Sequence, residues 1–507
     1  MANNGNTWMN GAAVITAPPG TQTGSVSYRA PAKGGKVRMA LTVAGVAVCM
    51  AVGLVMTPQE WTWEVLRILC VCVVMLGAFY FPVDNPKPSF VIWWIMLIAE
   101  CIFFREGDAN STSNAYAGAF PTAAYGEAIA WILCFLAVLL CSRRIRGFVK
   151  ELFAGDFKWI TLFALMCAGS SIYSPRPSLG FVWGFKLVLV TLLLLACASR
   201  MQTFRDTISF LNFSAFAYAI IVLQPVIIAA MRGEMFDEEG RMSTIVSPNA
   251  LSPNAAILLL MAMFLFSKRK GEGLQKAALL FGVVGGVVMI LAGSKTGIIA
   301  AVVAGGLYFL LRGRLGGAFT FIIITGMLVG ILTLTTPLGD YFHLYRDRQG
   351  AESFSGRTLL WEAAWPAIKA KPIAGHGYMS TEFIAFTLNG VGWTAPHLHN
   401  GFIEAAYSTG GVGFLLMMAY ILLIPWRLYQ ALRRAPSSSA IHRVSAGCMA
   451  LYVFLIINGL FNSSFGGKPT SPFMLLLALL VVSNKLARLA SEEPANGAGK
   501  SLRWQPV

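Results

Sequence analysis

Charge is what this chain has least of. Only 12% of its 507 residues are Asp, Glu, Lys or Arg, about half the quarter usual in a soluble domain. That excludes a water-facing globular fold. The acids are rarer than the bases, 23 against 39, and there are five histidines. The nine cysteines (Cys49, Cys70, Cys72, Cys101, Cys134, Cys141, Cys167, Cys197 and Cys448) all fall in or beside apolar stretches. None stands in an outer loop, so there is no disulfide framework. Cys70-Val71-Cys72 is too tightly spaced and too apolar for a metal site, which leaves the cysteines as small hydrophobic filler. The strict period-two alternation of a membrane barrel is missing. No repeat relates residues 39–267 to 277–488, as the repeated halves of many transporters would require.

What is present in quantity is hydrophobic sequence, 56% of the chain. Apolar runs long enough for a bilayer about 30 Å thick recur through it. They lie at 39–56, 66–82, 89–104, 123–142, 158–173, 179–199, 207–231, 249–267, 277–293, 297–312, 317–336, 411–427, 444–463 and 472–488. Backbone groups in lipid must bond within their own segment, so each run is expected to be a helix. The expected fold is an all-α polytopic membrane protein of 12–14 transmembrane helices. Residues 1–36 read as a disordered cytoplasmic tail with no cleavable signal peptide, and 37–336 hold helices 1–11. Residues 337–398 form one large periplasmic loop, 399–488 hold helices 12–14, and 489–507 are a second cytoplasmic tail.

Placing the N-terminus inside puts most Lys and Arg in cytoplasmic segments, among them Arg143-Arg144-Ile145-Arg146, Lys268-Arg269-Lys270 and Arg433-Arg434. The net charge of +16 is thereby accounted for without a nucleic-acid partner. The cations left on the outer side go against this bias, and they cluster. Arg241 ends a loop that leads into Ser247-Pro248-Asn249, followed by Pro253-Asn254. The prolines break or start a helix there, and the two asparagines either cap it or offer amides to a sugar. Gly293-Ser294-Lys295-Thr296-Gly297 is a tight break between apolar helices. Its Lys295 either snorkels to the interface or belongs to an anion-binding turn. Lys186 lies about two turns into its span and either snorkels, pairs with Glu100 or Glu127, or binds a ligand.

The loop 337–398 carries Arg346, Arg348, Arg357, Lys369 and Lys371. A structureless loop of that length is uncommon, so a partly folded, functional loop is expected. Leu360, Ala364 and Ile368 recur at a helical period with Trp361 and Trp365 alongside, and Ser355 is a plausible N-cap. Arg357 then falls in the first turn, where a cation is unfavourable for the helix dipole; it is either a solvated or lipid-anchoring arginine or a functional one. Closing the loop stand two of the five histidines, in His397-Leu398-His399-Asn400-Gly401, running through Glu404 to Gly410, Gly411 and Gly413. A neutral imidazole there can accept a proton from a hydroxyl.

These segments together resemble the O-antigen ligase and Wzy-type polysaccharide polymerase superfamily, best over about residues 230–430. His399-Asn400, nine residues, then Gly410-x-x-Gly413 follows the family pattern. Ser355-Gly356-Arg357-Thr358 with Trp361, and then Pro372-Ile373-Ala374-Gly375-His376-Gly377-Tyr378, looks like its long periplasmic loop. Gly240-Arg241 with Pro248-Asn249, and Ser294-Lys295-Thr296, look like its earlier basic motifs. The resemblance implies a metal-independent, inverting glycosyltransferase at the periplasmic face of the bacterial inner membrane, with no cofactor. No Asp-x-Asp or His/Asp cluster suited to Mg or Mn stands in an outer loop. The implied donor is a glycan on undecaprenyl diphosphate, and the acceptor a growing polysaccharide or lipid A–core. Other polysaccharide export proteins are possible partners. By the same resemblance His399 is the catalytic residue. Arg241, Lys295, Arg357 and Lys186 hold the pyrophosphate, and Asn400, His397, Asn249, Trp361 and Glu404 support or orient substrate. The span number and the Gly-Arg-Thr-x-x-Trp element lean towards an exopolysaccharide polymerase. An O-antigen ligase is the alternative, and a lipid-linked oligosaccharide flippase or transporter is the reading from another class.

Overall fold

The computed structural model describes residues 88–102, 131, 150–233, 235–237, 240–242, 244, 246–265, 272–336, 357–382 and 397–492. The expected N-terminal tail, the spans at 39–56 and 66–82, and that at 123–142 apart from Trp131 lie outside these residues. So do 337–356 and 383–396 of the long loop, with Ser355, Arg346 and Arg348, and the tail beyond 492.

Twelve α-helices are present among the described residues: α1 Pro88–Ile102, α2 Phe157–Ser170, α3 Pro177–Arg200, α4 Phe204–Arg232, α5 Pro248–Leu265, α6 Glu272–Leu291, α7 Lys295–Leu311, α8 Leu315–Thr335, α9 Arg357–Ala370, α10 Gly401–Arg434, α11 Ala440–Phe461 and α12 Ser471–Glu492. A single antiparallel bridge, Phe236 to Met242, is the extent of β pairing among them. Seven helices (α3, α4, α5, α8, α10, α11 and α12) are long and apolar enough to cross a membrane, and four shorter apolar segments fall in α1, α2, α6 and α7.

The ends of these helices follow local chemistry. Thr203 and Asp206 form a capping box at the start of α4, and Gly233 closes that helix with a left-handed φ of 73°. Pro248 opens α5, and Pro253 lies in its second turn. Two expected boundaries move. The span expected at 411–427 is part of a helix running from Gly401 to Arg434, and α12 continues to Glu492, past the expected tail boundary at 489.

Burial divides the helices into two kinds. In α12 every side chain from Phe473 to Val482 is buried. The helix packs against α1, α2, α3, α4, α10 and α11, so an element hydrophobic all round sits at the centre of the bundle. In α8, Leu315, Phe319, Met327 and Leu334 are exposed. Lipid tails are as apolar as leucine, so a helix of this kind can face the bilayer.

One local feature positions the long loop against the bundle. α10 is two helices joined at Gly410, whose φ of 63° and ψ of −166° are non-helical. In an unbroken helix the carbonyls of Tyr407 and Ser408 would accept from the N–H groups of Gly411 and Val412. The break frees all four groups, and the segment 372–377 takes all four. His376 and Gly377 donate to the Tyr407 and Ser408 carbonyls at 2.9 and 2.8 Å, and Gly411 and Val412 donate to the Pro372 and Ile373 carbonyls at 2.7 and 3.3 Å. Unsatisfied backbone groups in a water-poor site cost several kcal/mol each, so the break and the strap need one another. A Cβ on Gly410 would lie 2.3 Å from the Ile373 carbonyl oxygen, on a backbone that L side chains rarely adopt.

Gly410→Ala is expected to lower stability by about 2 kcal/mol or more. Gly286→Ala, where an added Cβ meets nothing within 4 Å, is expected to leave it unchanged or raise it slightly. Thermal unfolding in detergent measures both, and equal melting temperatures would refute the role given to the break.

Candidate functional site

The strap continues as a keystone. After the backbone exchange, the His376 ring stacks on Tyr407 with centroids 4.6 Å apart, and its Nε2 lies 2.9 Å from the Ala367 carbonyl. Tyr378 then reaches three elements. Its N–H donates to the Ser170 hydroxyl at 3.1 Å, its carbonyl accepts from Ser174, and its hydroxyl donates to the Gly467 carbonyl. The ends of α2 and α3, the start of α10 and the 463–470 turn between α11 and α12 thus meet around residues 376–382. The turn also presses on α10 directly, with Phe465 packed on Phe402 at 4.9 Å.

On this base sits α9. Ala364 from α9, Leu398 and Tyr407 form a small apolar cluster with Ala367, Ile368 and Ile403. The Trp361 indole N–H donates to the Leu398 carbonyl at 2.9 Å. The helix expected from the Leu360, Ala364, Ile368 stripe is therefore present, and it clamps the His397-Leu398-His399 turn. Arg357, the first residue of α9, is close enough to both imidazoles for its charge to act on them.

The two histidine rings lie 4.3 Å apart. His399 has φ +50°, a left-handed conformation uncommon for a residue with a side chain, and such residues cluster at functional sites. Burial first, and then the Arg357 charge, push His397 down to about 4. Burial first, then His397, then Arg357 push His399 down to about 3. Both imidazoles are therefore neutral at pH 7. Since their folded pKa values lie below the ordinary 6.5, the unfolded chain binds more protons at moderately acid pH. Their contribution to stability is then full above about 6.5 and is lost as pH falls towards 4.

The neighbours are more structural than expected. The Asn400 side-chain oxygen caps α10, accepting from the N–H groups of Phe402 and Ile403 at 3.0 and 3.1 Å. Glu404 is buried on the first turn of α10, where its carboxylate accepts from the Thr381 hydroxyl at 2.9 Å. Trp361 acts through the Leu398 carbonyl.

Arg241 and Lys295 form a second group. Phe236 and Met242 pair as the two arms of an antiparallel hairpin, and Asp237 accepts from the Arg241 backbone N–H at 2.8 Å and its guanidinium Nε at 3.1 Å. Asp237 thereby aims Arg241. Met242 N–H donates to the Leu291 carbonyl at 2.7 Å, tying this hairpin to the α6–α7 turn that presents Lys295. Ser294 caps α7, and Lys295 is its exposed first residue. Asn249 is exposed on the first turn of α5.

Arg312, after the end of α7, bonds the Ser437 carbonyl ahead of α11. Lys295 therefore lies at the same end of the bundle as the 463–470 turn and His399. α11 packs against α5, α7 and α10, so it stands between the two groups.

Lys186 is buried on α3, with its ammonium 4.9 Å from the Trp183 ring and 5.4 Å from that of Trp131. Its expected partner Glu127 and the side chain of Glu100 lie outside the described residues. Lys468 in the α11–α12 turn also approaches Trp183, at 4.5 Å. Two cations on one indole, at the end that carries His399, are a feature sequence reasoning missed. Lys468 sits in Gly466-Gly467-Lys468, where the glycines were the available signal. Among the described residues, no three His, Cys, Asp or Glu side chains gather as a metal ion would need.

His397 and His399 are expected to stay neutral down to about pH 5. Nitrogen-15 histidine NMR on the native protein and on His399→Ala measures this, and a midpoint near 6.5 would reject it.

Comparison with known families locates the same region. The family described as O-Antigen ligase matches residues 277–418. That stretch includes Lys295, Arg357, Trp361, His397, His399 and Glu404 and leaves Arg241, Lys186 and Lys468 outside it. No curated protein matches the chain. That region, with its strap, histidine turn and broken helix, is similar to the O-antigen ligase family, which supports a relation to the O-antigen ligase/Wzy superfamily.

Proposed function

We propose that this protein polymerises lipid-linked repeat units, transferring a glycan from undecaprenyl diphosphate to a sugar hydroxyl at the periplasmic face of the inner membrane. Ligase- or polymerase-type activity is the family's property. The observation that best supports the finer reading is a neutral imidazole held in a left-handed conformation beside an arginine. His399 accepts the acceptor hydroxyl proton as that oxygen attacks the anomeric carbon from the face opposite the diphosphate, inverting it. The bond from that carbon to the phosphate oxygen breaks, and the diphosphate carries away the electron pair.

A base held near pKa 3 is a weak one in the empty site. Donor binding changes that. A diphosphate beside Arg357 offsets the guanidinium charge that depresses the imidazole, so His399 becomes a better base once the donor is in place. The effect grows as the leaving group gains charge. Arg357 is suited to a bidentate phosphate contact. Arg241, aimed by Asp237, with Lys295 and Lys186, supplies the remaining positive charge in the role a metal ion would otherwise fill. His397 and Glu404 are assigned to orienting the acceptor, and Asn249 offers its exposed amide.

The second reading, transfer to lipid A–core, is favoured by the family description itself. A strain lacking the protein separates the readings. Short lipid-linked repeats without long polymer are expected; full-length polymer not attached to lipid A–core means ligase, and accumulation on the cytoplasmic face means flippase.

His399→Ala is expected to abolish polymer in membranes that still contain the protein, and normal polymer would reject the catalytic assignment. Arg357→Lys is expected to keep about tenfold more activity than Arg357→Ala if charge is the main requirement, and to fall with it if the bidentate geometry is. Activity should survive EDTA, and a requirement for Mg would overturn the metal-free scheme.

A further inference from the structure

At the end of the bundle away from His399, α10 and α12 run side by side and part to leave a cavity of about 300 Å³. Its walls are nearly all donors: Arg427, Arg434 and Arg488, the carboxamides of Gln430 and Asn484, and the Ser491 hydroxyl. No carboxylate lines it. The three positions on α10 and those on α12 repeat every three to four residues, so two polar stripes face each other over about two helical turns.

Arginines at this end are explained in part by topology and by the helix dipole, which favours cations near a C-terminus. Neither reason requires the arginines to converge. Like charges sharing one cavity repel, and topology would be served as well by side chains turned outwards, as Arg433 is turned onto the Tyr429 ring.

Two of the three are also held in place. Arg427 Nε bonds the Asp156 carboxylate at 2.6 Å and its Nη1 bonds the Gln430 side-chain oxygen at 3.2 Å. Arg488 Nε bonds Glu492 at 2.7 Å. Arg434 has no acidic partner among the described residues.

Beside the cavity on α10 stand the exposed aromatics Trp426 and Tyr429, their rings 6.0 Å apart. Exposed aromatics of this kind mark the level of the membrane–water interface. The cavity has room for about ten waters, enough for a phosphodiester with its glycerol and too little for an oligosaccharide.

We propose that this cavity is a phosphate-binding site, filled by the headgroup of an anionic phospholipid whose chains lie against the exposed apolar face of α10, which carries Leu415, Leu422 and Trp426. Convergent guanidinium groups with amide and hydroxyl donors suit a phosphate's oxygens. The site is separate from the glycan-transfer site and does not depend on that reading.

The test uses the full-length protein in nonionic detergent, titrated with dioleoyl phosphatidylglycerol, dioleoyl phosphatidylcholine or inorganic phosphate. Retained lipid is counted by native mass spectrometry, and the melting temperature is followed. One phosphatidylglycerol retained in preference to phosphatidylcholine, with a rise in melting temperature, is the expected result. Arg434→Gln with Arg488→Gln should weaken retention at least tenfold, about a decade for each lost charge-assisted contact, while Arg433→Gln should not. Both substituted side chains are exposed, and each single variant provides a check on folding. A shift from inorganic phosphate alone that the same double variant removes would support the phosphate site and assign it to a free anion. Equal retention of the two lipids, or unchanged retention in the double variant, would overturn the proposal.

Discussion

The four hydrogen bonds exchanged across the break in α10 hold the rest of the site in place. Gly410 frees two carbonyls and two N–H groups inside the bundle, and the strap 372–377 satisfies all four. From that exchange follow the stacking of His376 on Tyr407, the reach of Tyr378 to α2, α3 and the 463–470 turn, and the docking of α9 over the histidine turn. Arg357 stands beside His397 and His399 because Trp361 holds the Leu398 carbonyl, and α9 lies where it does because the strap leads out of it. A loop that would otherwise pass over the surface becomes part of the bundle through this backbone exchange and the side-chain contacts that follow it.

The electrostatics of the site depend on this arrangement. Burial, reinforced by the neighbouring Arg357 charge, keeps the two imidazoles neutral, which suits proton acceptance and makes a poor resting base. Asp237 is the counterpart in the second group. It fixes the direction of Arg241 through the hairpin and ties up part of its charge.

Much of this was legible in the sequence. Hydrophobic runs of bilayer length placed α1 to α8, α11 and α12 to within about five residues, since in lipid a backbone has few alternatives to helix, while α10 starts ten residues before its expected span. The period of Leu360, Ala364 and Ile368 located α9 inside a long polar loop. The clustering of cations against the positive-inside bias drew attention to Arg241, Lys295 and Arg357. The sequence misled where a side chain had a nearer partner than a substrate: Asn400 caps its own helix. It was all but silent on Lys468, because a lysine between a glycine pair and a proline carries no periodic signal.

Composition and spacing by themselves determined that this is a helical membrane protein with basic groups clustered between its apolar runs, because those properties depend on transfer energy and on neighbours close in the chain. Only the tertiary structure decided which of those groups meet. That Gly410 exists to be bonded by a segment more than thirty residues earlier, that Arg357 acts on His399, that Lys186 and Lys468 share one indole, and that three arginines of α10 and α12 converge on one cavity all rest on contacts between residues remote in the chain. Pairings of that kind are set by how whole helices pack, and no local pattern encodes them.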